Sequence, residues 1–90
     1  MSRVSVKAWV SGRVQGVWFR KSSQQKALSL GLSGSAVNLA DGRVELHLYG
    51  ESDRVDEMLS WLAVGPPRAR VDELVTEFIA PGDPPGFEVG

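Results

Sequence analysis

Nine consecutive residues, Gly12-Arg13-Val14-Gln15-Gly16-Val17-Trp18-Phe19-Arg20, hold the groups needed to bind a phosphate. Glycine stands at both shoulders of the turn and one arginine closes it. Glycine permits the left-handed or sharply bent backbone that turns several N–H groups toward one centre, and a following helix adds unpaired donors and the positive end of its dipole. Arg20 supplies a permanently charged, forked donor. The candidate phosphate-binding residues are therefore Gln15, Gly16, Val17, Trp18, Phe19 and Arg20, with Asn38 and the pair Asp41-Gly42 as polar partners further along. Each has a plainer reading. Arg20 can be a solvated first-turn arginine, although a cation at a helix N-terminus is mildly unfavourable unless an anion binds there. Asn38 can serve the hairpin alone.

The elements that must position these groups follow from periodicity. Val4, Val6, Ala8 and Val10 alternate with Arg3, Ser5, Lys7 and Ser11, the period of a strand with one buried face, and Trp9 falls on the other face. Beyond the glycine-rich segment, Phe19, Ser23, Ala27 and Leu30 recur at helical spacing and Gly31 stops the helix. Residues 32–39 and 43–49 read as strands around Ala40-Asp41-Gly42, where Asp-Gly is expected to supply positive backbone angles, and Val44, Leu46 and Leu48 share a face. Val55, Met58, Leu59, Leu62 and Ala63 make a clearer helical stripe, with Ser52 or Asp53 as its cap and Gly65-Pro66-Pro67 as its end. A fourth strand is expected within 69–79, and residues 81–86 form a connector to the short apolar run Phe87-Glu88-Val89. The order strand, helix, strand, strand, helix, strand predicts an α+β fold of the ferredoxin-like split βαβ type (βαββαβ): an antiparallel sheet with two helices on one face.

Composition narrows the function classes. Ninety residues, 42% hydrophobic, suit one domain spanning 1–90. Ten Lys plus Arg against eleven Asp plus Glu leave a net charge of −1, so no general electrostatic pull toward nucleic acid or an anionic membrane is expected. Any anion site must be local. Without cysteine there is no disulfide, thiolate nucleophile or cysteine-held metal. The first residues enter strand alternation directly, with no apolar signal segment, so the expected location is the cytoplasm. His47 shares a strand face with Glu45 and Tyr49, away from the Val44 row, and is expected to be a sheet residue outside the site.

The segment 12–20 resembles the acylphosphatase pattern Gly-x-Val-Gln-Gly-Val-x-Phe-Arg, and Gly34 through Glu45 is similar to that family's second motif, ending Asn-x-x-Asp-Gly-x-Val-Glu. Leu30-Gly31-Leu32, Gly65-Pro66, Ala69-x-Val71 and Phe87-Glu88-Val89 extend the resemblance across the chain. It implies a small, monomeric hydrolase that needs neither metal nor cofactor and splits acyl phosphates into a carboxylate and inorganic phosphate. Arg20 matches the family's catalytic arginine and Asn38 its catalytic asparagine. Phosphoryl transfer through a loose transition state requires placement and charge stabilisation above all. The departing carboxylate has a conjugate acid of pKa roughly 4 to 5, so no general acid is required. Trp18 stands where the family frequently has glycine; the loop is therefore expected to run there without positive φ, with the ring lining or narrowing the pocket. Two other readings use the same fold: a non-catalytic, regulatory anion-binding module, and an RNA-binding sheet, which lacks the expected basic surface and aromatic consensus.

Overall fold

The computed structural model describes residues 2–16 and 18–90. In chain order the elements are β1 (Arg3–Arg13), α1 (Phe19–Ser29), β2 (Ser33–Asn38), β3 (Val44–Glu51), α2 (Ser52–Val64), β4 (Arg70–Phe78) and β5 (Phe87–Val89). They build a five-stranded sheet in the order β4-β1-β3-β2-β5. Hydrophobic alternation dictates which face is covered. Val6, Ala8 and Val10 of β1 pair with Leu48, Leu46 and Val44 of β3, and all six are buried. Val55, Met58 and Leu62 of α2 and Phe19 and Ala27 of α1 pack onto that face. α2 lies over β4, β1 and β3, whereas α1 lies over β2 and β5. The rings of Phe19 and Trp61, 6.1 Å apart and tilted at 45°, join the two helices.

The βαββαβ order is therefore as the sequence predicts, with one change to the sheet. Phe87–Val89 is a fifth strand, and it pairs parallel to β2, opposite Gly34, Ser35 and Ala36. The sheet is mixed, not antiparallel throughout. Three residues are too few to display a period of two, so the strand is held by other means. Phe87 is only 5% exposed, and the Gln24 side-chain amide on α1 donates to its carbonyl at 2.7 Å. Gly34 N–H donates to Gly86 O and Gly90 N–H to Ala36 O, each at 3.0 Å.

Smaller corrections share one cause, local geometry that spacing alone does not encode. The N-cap of α2 is Glu51, without a side-chain capping bond, so Ser52 and Asp53 fall inside the first turn. Ala63 is exposed; Trp61, half-buried, completes the α2 face instead. In the hairpin only Gly42 has positive φ, at 96°, and Asp41 does not. Its carboxylate accepts from the Arg43 backbone N–H at 3.1 Å and from Arg43 Nε at 2.7 Å. Those bonds, the backbone one first, hold the Asp41 carboxyl below the usual carboxylate range. β1 also runs further than expected, through a bulge at Ser11/Gly12 against β4. Gly12 has φ 122°, and a Cβ there would collide with the Arg70 carbonyl, so the bulge requires glycine. Among the described residues no helix is long and apolar enough to cross a membrane.

Candidate active site

The sheet register brings the two sequence motifs to one end. Val44 pairs with Val10 of β1 on one side and with Asn38 of β2 on the other, so the exit from β1 and the end of β2 are neighbours across β3. The Gln15 side chain closes the gap. Its amide Nε2 donates to Leu39 O at 2.9 Å and to Arg43 O at 3.0 Å, tying the loop after β1 to both arms of the β2–β3 hairpin. The sequence predicts Gln15 as one of the phosphate-binding residues, whereas its side chain is turned to the hairpin. A clamp across 24 and 28 residues of chain has no local signature.

The loop itself curls through two left-handed residues, Gly16 at φ 72° and Trp18 at φ 61°, ψ 21°. Gly16 takes this conformation without penalty because it has no Cβ. Trp18 does not. The expectation that the loop avoids positive φ at this tryptophan is wrong, and the conformation costs on the order of 1–3 kcal/mol. Trp18 is the N-cap residue of α1, and its carbonyl accepts from Ser22 N–H at 2.9 Å. No side chain caps this helix and no acidic residue lies in its first turn. Val17, also expected in the loop, lies outside the described residues.

A concavity of about 490 Å³ opens over this curl, bounded by Val14, Gly16, Trp18, Phe19, Arg20 and, from β5, Val89. Val14 and Phe19 are each 1% exposed and form its fixed floor. The side chain of Phe19 thus belongs to the core, and only its backbone can serve a ligand. Arg20, half-buried in the first turn, lines the opening with Lys21. Among the described residues no carboxylate lies within salt-bridge distance of Arg20. The site therefore combines first-turn N–H groups, two cations and no internal acid, an arrangement that is unfavourable alone and favourable around an anion.

Asn38 does not itself bound that concavity. It is exposed at the end of β2, in the same helix-side row as Gly34 and Ala36, and Ala36 pairs with the pocket residue Val89. One same-face step along a strand is about 7 Å. His47 lies on the opposite face, its Nε2 3.6 Å from Glu45 Oε2, as the sequence reading has it.

Comparison with known proteins agrees with this fold. A family model described as Acylphosphatase matches residues 6–89. An acylphosphatase of Chromohalobacter salexigens is 52% identical over 86 residues, covering 94% of each chain. The structure of an acylphosphatase from Coxiella burnetii superposes with a TM-score of 0.94 at 41% identity, covering 98% of this chain and 93% of that one. The crystal structure of acylphosphatase from Bacillus subtilis gives 0.93 at 27% identity, covering 97% and 98%.

Proposed function

Since this chain belongs to the acylphosphatase family, whose members are hydrolases acting on acyl phosphates, we propose that Arg20 and Asn38 divide the work of hydrolysis between binding and water orientation. The observation that carries the reading is the uncapped, acid-free N-terminus of α1 with Arg20 over the pocket. The backbone N–H groups between Gln15 and Arg20, with the Arg20 guanidinium, hold the phosphoryl oxygens as charge spreads over them. The Asn38 amide orients a water in line with the scissile bond.

The water oxygen bonds to phosphorus as the bond from phosphorus to the acyl oxygen breaks, and the acyl group leaves as its carboxylate. An amide is too weak a base to take the water's proton. A phosphoryl oxygen of the substrate receives it, so the products are a carboxylate and inorganic phosphate. No step uses a metal or cofactor. Gln15 acts as a positioning residue, keeping the curl and the hairpin that carries Asn38 in register. The protein works as a single-domain monomer in the cytoplasm, with a small acyl phosphate as its partner.

The test is release of inorganic phosphate from acetyl or benzoyl phosphate with a metal chelator present. Activity is expected to persist, and its abolition by the chelator would exclude the metal-free route. Arg20→Ala should lose turnover and competitive phosphate binding together. Asn38→Ala should retain phosphate binding while kcat falls by roughly 10²–10³-fold, the usual effect of removing one well-aimed polar group. A variant at Asn38 that kept most of its rate would remove that amide from the mechanism.

A further inference from the structure

Building on the acyl phosphate reading, we propose that Trp18 and the Pro66-Pro67 shoulder form a subsite for the acyl end of the substrate, selecting flat apolar acyl groups over short aliphatic ones. The indole is 72% exposed, an unusual state for the largest apolar side chain. It borders two concavities at once. One is the pocket that holds Arg20, and the other is a shallower hollow of about 250 Å³ shared with Ser22, Pro66, Pro67 and Arg68.

The backbone supplies a separate argument. A left-handed turn at position 18 would be met with less strain by glycine, so the turn alone does not account for a tryptophan at φ 61°. A ring that is both strained and left in solvent is explained by what it touches in the bound state. With the phosphoryl group beside Arg20, the acyl carbon is two bonds from phosphorus, so a substituent directed past Trp18 would enter the second hollow, which that residue also borders. An indole face beside two pyrrolidine rings offers flat apolar contact, which an aromatic ring satisfies by offset stacking and a methyl group scarcely uses. Arg68 gives that hollow a cationic rim.

The experiment compares kcat/KM for benzoyl and acetyl phosphate in the unaltered protein and in Trp18→Gly, Trp18→Asn, Trp18→Phe and Pro67→Ala. Loop distortion affects both substrates, so the ratio isolates the acyl end. The ratio should favour benzoyl phosphate, fall about tenfold in Trp18→Gly and Trp18→Asn, and largely survive in Trp18→Phe. Pro67→Ala, outside the loop, should reduce it less. A ratio unchanged in both Trp18→Gly and Trp18→Asn would overturn the subsite. Inhibition by non-hydrolysable phenacylphosphonate and acetonylphosphonate gives the same comparison without turnover. A protein that prefers the phenacyl compound through Trp18 but hydrolyses neither acyl phosphate would keep the subsite and refute the hydrolase reading. Equal inhibition by the two phosphonates would refute the subsite whatever the activity.

Discussion

The two helices of this molecule begin in opposite ways. α2 starts from Glu51 in extended geometry, carries Asp53 in its first turn, and has the N–H of Ser52 bonded to Ser2 O at 2.8 Å. Its positive end is answered from within. α1, which like α2 has no side-chain cap, starts from a left-handed tryptophan, has no acid in its first turn, and places Arg20 and Lys21 where negative charge is favoured. The difference lies in first-turn charge, acidic in α2 and cationic in α1, and it is what supports the proposal that an external anion completes the start of α1.

Arg20→Ala is the strongest way to break that contrast. It is expected to lower kcat/KM by on the order of 10³-fold, about 4 kcal/mol of transition-state binding, and phosphate should cease to inhibit. Gln15→Glu comes next, because a carboxylate cannot donate to Leu39 O and Arg43 O. Thermal denaturation should show a loss of about 1–3 kcal/mol, with kcat falling more than phosphate affinity. Lys21→Glu makes α1 resemble α2. It should stabilise the free protein by about 0.3–1 kcal/mol in denaturant titration while weakening phosphate inhibition, and unchanged inhibition would mean the helix end does not serve the anion.

The mirror substitution, Asp53→Ala, should cost a similar ~0.3–1 kcal/mol and leave turnover alone. The smallest effect belongs to the hairpin. The Asp41 carboxyl is held low by Arg43, so its contribution is intact above the ordinary carboxylate range and disappears as pH falls through its lowered value. Asp41→Asn should therefore narrow the stability difference from the unaltered protein only at acid pH, as acid titration of unfolding can show.

Much of this was legible in the chain because it rests on repetition. The rows Val6-Ala8-Val10 and Val44-Leu46-Leu48 are buried as alternation requires, and Phe19, Ser23, Ala27 and Leu30 are buried as helical spacing requires. The end of α1 follows too, with Leu32 N–H donating to Ala27 O and Gly31 N–H to Leu28 O, the bond pair that closes a helix at glycine. What escaped depends on single residues. β5 is held by Phe87, Gln24 and neighbouring backbone bonds, without a pattern of its own. The conformation of Trp18 runs against its residue preference, and the reach of Gln15 crosses the fold. The site motifs were readable as composition, whereas the strain and the clamp that shape them were not.

Phe19 lies immediately before Arg20 and packs against Trp61, beneath the curl. Heat or denaturant that loosens this aromatic contact is expected to free the first turn of α1 and Arg20 with it, so on the proposed mechanism inactivation should track melting. With Trp9 and Trp18 replaced by phenylalanine, the remaining indole would become a built-in optical gauge, its emission shifting in step with the loss of turnover.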